Sequence, residues 1–189
     1  PVVAEPLRLF DCCPISDGAA AVILASEKIA KKYTDTPIRL VGLGQASDTM
    51  ALHDRAELTS LRASKIASRQ AYSMARITPD RVNLESRTGC FTSAEMIATE
   101  DLGFFKPGEG GIAASEGRTG LSGDKPINTD GGLKAKGHPV GATGVSQFVE
   151  LVWQLRGEAG ARQVKDAENA FCCNFGGFGN NVTAFILRK

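Results

Sequence analysis

Seventeen residues, Asn128 to Gly144 (Asn-Thr-Asp-Gly-Gly-Leu-Lys-Ala-Lys-Gly-His-Pro-Val-Gly-Ala-Thr-Gly), constrain this chain more than any other stretch. They set His138, one of only two histidines, among glycines at 131, 132, 137, 141 and 144. Glycine lets a backbone turn sharply and approach a ligand closely, and Pro139 fixes the turn just after the histidine. Behind the block, Val145, Phe148, Val149, Val152 and Leu155 recur at helical spacing, which predicts a long helix to about Leu155. An imidazole is thereby placed in a tight loop that opens onto a helix N-terminus. That setting suits polarising a carbonyl or holding an oxyanion. A lone buried histidine is more often structural than catalytic; the ordered block around this one favours function.

With 189 residues the chain can form one domain with a sizeable core, or a domain sharing its core with another half. A net charge of +1 with interspersed signs gives no argument for nucleic acid or a membrane surface as partner. No apolar run approaches the ~18 residues of a spanning helix, and the first residues do not read as a signal peptide. The five cysteines, Cys12, Cys13, Cys90, Cys172 and Cys173, contain no Cys-x-x-Cys. That spacing speaks against a zinc site or a disulfide framework, and a reducing cytoplasm is the expected compartment. Four of the five are expected to be small buried apolar residues.

Along the chain, strand and helix patterns alternate, which predicts an α/β layered domain. Ala19 to Ala25 is an apolar run fit for a buried strand, followed by a helix from Ser26 to Tyr33. Ile38 to Gly44 is a second strand candidate, and Ala46 to Thr59, with His53, reads as a loop holding a helical turn. From Ser60 to Ala75 a stripe of Leu61, Ile66, Ala67, Ala71 and Met74 predicts a strong helix, ended near Pro79. Val82 to Glu85 is a short strand and Ser93 to Leu102 a helix. Lys106 to Lys125 is glycine-rich and polar, an exposed loop or hairpin. Ala167 to Cys173 and Val182 to Leu187 read as an antiparallel hairpin around a glycine turn.

Four segments in series resemble the thiolases, most nearly the sterol carrier type and its archaeal and bacterial relatives. They are Asp11-Cys-Cys-Pro-Ile-Ser-Asp-Gly-Ala-Ala-Ala21, Cys90-Phe-Thr-Ser-Ala-Glu-Met96 with Glu100-Asp-Leu-Gly103, the Gly-His-Pro block, and Cys173-Asn-Phe-Gly-Gly-Phe-Gly179. The resemblance covers nearly the whole chain. It implies a thiolase-like half: a mixed five-stranded sheet with helices on both faces, stacked on a sister half. The Asp17-Gly-Ala-Ala-Ala21 segment opens the second half in that family. Residues 1–189 are therefore expected to be a thiolase C-terminal domain, without the N-terminal half that carries the nucleophilic cysteine.

The same resemblance implies the chemistry. His138 would hold the thioester oxygen as enolate charge develops, and a second cysteine would move the α-proton. Cys90 fits this role in the sterol carrier branch, where it follows a His-Asp pair; here those positions are Thr88 and Gly89. Cys173 fits it in the other large branch, whose Cys-x-Gly-Gly-Gly-x-Gly frame is matched except at Phe175. Gly176 and Gly177 are candidate backbone oxyanion donors, and Gly137, Lys134 and Lys136 candidate contacts to coenzyme A. The implied activity is acyl-CoA acyltransfer that cleaves or forms a β-ketoacyl-CoA, with coenzyme A as substrate and neither metal nor redox cofactor. Implied partners are the N-terminal half, a second copy of the protein, and a small zinc-containing protein that binds acyl-CoA. Two other readings fit the residues: a thiolase-fold retro-aldol lyase on acyl-CoA, and a non-catalytic acyl-CoA-binding or scaffold subunit.

Overall fold

A computed structural model describes residues 1–189. A small hairpin of β1 (Val2–Ala4) and β2 (Leu7–Arg8) comes first, then a 3-10 turn (Leu9–Asp11) and a long irregular stretch that leads to a single helical turn, α1 (Glu27–Ala30). Next in order come β3 (Arg39–Ser47), α2 (Arg62–Ala75), β4 (Leu84–Arg87) and α3 (Thr92–Asp101). The chain ends with α4 (Gly110–Ser115), α5 (Gly132–Lys136), α6 (Thr143–Arg156), β5 (Asn169–Gly176) and β6 (Asn181–Arg188).

β3, β6, β5 and β4 make one mixed sheet in that spatial order. β6 runs antiparallel to both β3 and β5, whereas β4 is parallel to β5. β5 is central and its first five residues are buried, as expected for a strand covered on both faces. Alternation along it divides the core. Phe171 and Cys173 join Ala67, Ala71 and Ile186 under α2, while Ala170 and Cys172 join Leu151 and Leu155 under α6. The helices therefore cover both faces, as expected.

The expected fifth strand is missing. Ala19 to Ala25 is neither strand nor buried, with Ile23 97% and Leu24 78% exposed. A strand needs a neighbour to bond its N–H and C=O groups, and no segment of the sheet reaches this one. At the opposite edge Ile127 forms only an isolated parallel bridge to Glu85. Pro126 has no N–H to donate, and Asn128 turns away with φ of 50°, so pairing stops after one residue.

Other departures have local causes. The predicted helix from Ser26 to Tyr33 shrinks to one turn, with no side-chain bond from Ser26 to cap it. In α2 the buried face is Ala63, Ala67, Ala71 and Ala75 with Tyr72, while Met74 points to solvent. The small residues are there because β3 lies close beneath: a Cβ at Gly44 would sit 1.9 Å from the Ala67 carbonyl oxygen, and one at Gly42 2.5 Å from that of Ala71. The Lys106–Lys125 stretch contains the short α4, and the glycine block contains α5; neither was expected.

α6 carries a polar stripe on its buried side: Thr143, Gln147, Glu150 and Gln154. Glu150 receives the Arg162 guanidinium (2.8–3.1 Å) and the Thr129 hydroxyl (3.0 Å). The Gln154 side chain bonds the Arg162 carbonyl and the Val164 N–H, both at 2.8 Å. Buried polar groups with partners fix one arrangement, and this stripe sets the helix, and with it the Gly-His-Pro loop, against the rest of the molecule.

Candidate active site

Two loops meet one N-terminal arm. Cys90 lies between the end of β4 and Phe91, the N-cap of α3. The arm pairs alongside it: Cys12 bridges Phe91 in antiparallel sense, the Cys13 N–H donates to the Cys90 carbonyl at 2.9 Å, and the Thr92 hydroxyl donates to Asp11 at 3.0 Å. A few residues later the same arm lies on the Gly-His-Pro loop. A Cβ at Gly137 would stand 2.1 Å from the Ser16 hydroxyl oxygen, and one at Gly18 2.7 Å from Pro139. Gly137 also has φ of 84°, so both conformation and space require glycine there. The arm thus packs on both the Cys90 loop and the Gly-His-Pro loop.

A second link runs through α6. Gln147 is buried; its amide NH₂ bonds the Thr88 hydroxyl (3.4 Å) and the Cys173 carbonyl (3.3 Å), and its carbonyl accepts from Asn174 (3.4 Å). One turn earlier, Thr143 Oγ1 is 2.7 Å from His138 Nδ1. The imidazole is part-buried, and desolvation lowers its pKa below the ordinary histidine value, so the neutral ring is favoured.

The cysteines separate by environment. Cys12, Cys13 and Cys90 are partly exposed, while Cys172 and Cys173 are buried, so only two of the five are core residues. Desolvation first, then the neighbouring Cys13 thiol, pushes Cys90 up to about 11. Cys173 is buried in the core beneath α2, on the face of the sheet away from α6, and burial drives its thiol far above the usual range. Behind Cys90, Glu85 and Arg87 are fully buried on β4, with the guanidinium 3.6 Å from Glu85 and 3.7 Å from Glu95. Burial raises Glu85 to about 7, against the opposing pull of Arg87.

Beside Cys90 opens a cavity of about 330 Å³, bordered by Gly89, Phe91, Glu95, Asn128, Leu133 and Lys134. A Cβ at Gly89 would meet nothing within 4 Å, so that position leaves open space. Lys134 and Lys136 are exposed, and Lys136 is paired with Asp130. Gly176 closes the paired part of β5, and Gly177 begins the turn with φ of 56°.

A family profile described as thiolase C-terminal domain-like matches residues 44–189. The chain belongs to that family. An acetyl-CoA acetyltransferase of Methanothermobacter thermautotrophicus is 51% identical over 188 residues, all of this chain and 49% of the relative. Human sterol carrier protein 2 is 38% identical over 179 residues, 92% of this chain and 33% of the relative. Among solved structures, the Ltp2-ChsH2(DUF35) aldolase superposes with a TM-score of 0.84 at 25% identity, over all of this chain and 49% of that one. The chain spans about half the length of the archaeal relative, and no helix is long and apolar enough to cross a membrane.

Sequence reasoning passed over Cys13, Ser16, Thr143 and Gln147. Thr143 lay inside the glycine block, and its spacing of five from His138 across a turn was the one available signal. Gln147 could have been found as a polar residue on the apolar side of the predicted α6.

Proposed function

We propose that this chain is the C-terminal half of a thiolase-type acyl-CoA acyltransferase and supplies His138 and Cys90 to its active site. The observation that carries the reading is the single arm, Asp11 to Gly18, that packs on both the Cys90 loop and the Gly-His-Pro loop. The acetyl-CoA acetyltransferase named among its relatives supports the substrate class. In the condensing direction Cys90, as thiolate, takes the α-proton of acetyl-CoA. His138 holds the enolate oxygen as charge gathers there, and the enolate carbon attacks an acyl-cysteine carried by the N-terminal half. The new carbon–carbon bond yields β-ketoacyl-CoA, and the nucleophilic thiolate leaves. Thiolysis runs the same steps backwards, with Cys90 returning the proton. Covalent catalysis of this kind divides one difficult step into two. Exposed lysines such as Lys134 are suited to the phosphates of coenzyme A, the turn at Gly176 and Gly177 offers backbone donors, and no metal is required.

The partner half is proposed to cover the bare apolar arm around Ile23, with a second copy completing the assembly. The aldolase is solved with a DUF35 partner, which supports a further protein partner here as well; that partner is proposed to be small and to bind acyl-CoA. A retro-aldol reading draws on that same likeness and on Thr88, whose side chain is buried and bonded to Gln147 where the sterol carrier type thiolases carry a histidine.

Exchange of the α-protons of acetyl-CoA with deuterated solvent isolates proton transfer from acyl transfer. With the complete two-half enzyme, Cys90→Ser is expected to abolish exchange, because serine is too weak an acid to form the anion near neutral pH. His138→Ala is expected to slow it ~100-fold or more, the cost of losing one oxyanion donor, and Cys173→Ser to leave it near normal. Loss on Cys173→Ser with retention on Cys90→Ser would reverse the assignment. Retention in all three would turn the reading to the lyase.

A further inference from the structure

We infer that Thr143 makes neutral His138 a hydrogen-bond donor at Nε2, by giving its own hydroxyl proton to Nδ1. The reasoning is a proton count. Thr143 Oγ1 has one proton and two neighbours that can accept it: His138 Nδ1 at 2.7 Å and the Pro139 carbonyl oxygen at 3.1 Å. If the proton went to Pro139, Nδ1 would have to carry a proton and donate to Oγ1, leaving Nε2 a bare lone pair. If it goes to Nδ1, the ring's single proton stands on Nε2.

Two observations choose the second state. The Pro139 carbonyl already accepts from the Ala142 N–H at 2.8 Å and the Thr143 N–H at 2.9 Å, so both its lone pairs are engaged. The contact to Nδ1 is the shorter of the two. The part-buried ring disfavours the imidazolium, which would otherwise supply Nε2–H whatever Thr143 did. A neutral ring needs an outside group to select its tautomer, and Thr143, held in the first turn of α6 and 2% exposed, is placed to do so. Thr143 is a positioning residue: it acts through the imidazole. Its importance for turnover rests on the oxyanion role proposed above; the tautomer itself does not.

Long-range proton–nitrogen correlation on the complete two-half enzyme, with these 189 residues nitrogen-labelled, reads the tautomer directly. Wild type is expected to show His138 protonated on Nε2 and bare on Nδ1. Thr143→Ser keeps the hydroxyl and should keep that pattern. Thr143→Val keeps the shape and loses the proton donor, so the proton should move wholly or partly to Nδ1. In the complete enzyme, Thr143→Val should lower kcat ~10-fold or more with little change in KM, and Thr143→Ser should restore most of it. A wild-type ring protonated on Nδ1, or a Thr143→Val ring still held as Nε2–H, would overturn the inference, and the wild-type spectrum decides even if the valine variant fails to fold. The predicted tautomers in an enzyme indifferent to His138 would instead count against the proposed function alone.

Discussion

At Cys90, position and surroundings pull one thiol in opposite directions. It stands just ahead of α3, where helix amides favour a thiolate. Desolvation and the thiol of Cys13 work the other way and raise it to about 11. At neutral pH the group is therefore mostly protonated and holds its proton tightly, so the thiolate that takes the α-proton is a small fraction but a strong base. Its thiolate fraction should keep growing with pH well past the range of an ordinary thiol. Alkylation of Cys90 by iodoacetamide, followed by peptide mass spectrometry, is expected to rise ~10-fold per pH unit between about pH 7 and 10; a plateau below pH 9 would contradict the raised value. The loop that holds His138 was legible because glycines, proline and a following helix surround it in a fixed order. The facing of Cys173 was not. Adjacent residues of a strand point to opposite faces, and nothing in Cys172-Cys173 says which of the two meets α2. The part of Thr143 was hidden too, since it depends on a carbonyl saturated by two backbone donors.

Among the elements, α2 and β3 show the tightest dependence on sequence. The face of Ala63, Ala67, Ala71 and Ala75 lies so near the strand that Gly42 and Gly44 have no room for a side chain. Gly44→Ala is expected to destabilise the fold by ~1–3 kcal/mol, the usual cost of forcing extra carbon into a filled core. Urea unfolding followed by circular dichroism measures it, and an unchanged midpoint would show that α2 moves away freely. The helix itself was legible, and of its apolar stripe Ala67 and Ala71 are buried; the stripe misses Ala63 and Ala75 and includes the exposed Met74, because alanines rather than large residues meet the close-lying strand. β5 and β6 were legible as a hairpin from their apolar runs and the glycines between them. Ala19 to Ala25 has the composition of a strand and is not one here, since a strand is made by its neighbour as much as by its own residues. The count of five strands failed at that point.

On the scale of the whole molecule, the sheet with α2 and α6 forms a finished core, whereas the arm leaves Ile15, Ile23 and Leu24 in solvent. Apolar residues clustered like this mark an interaction surface. The 189-residue chain alone is expected to self-associate with rising concentration, and Ile23→Ser with Leu24→Ser to reduce it; light scattering that shows a stable monomer at all concentrations would remove the basis for a covering partner. The relatives are two to three times longer, and the remaining machinery, including the nucleophilic cysteine, is proposed to lie in an N-terminal half. Thiolysis of acetoacetyl-CoA, followed by loss of its absorbance, tests that division most directly. The chain alone should give no turnover, and adding the cysteine-bearing N-terminal half should restore it in a form sensitive to His138→Ala. Robust turnover by the chain alone would contradict the account.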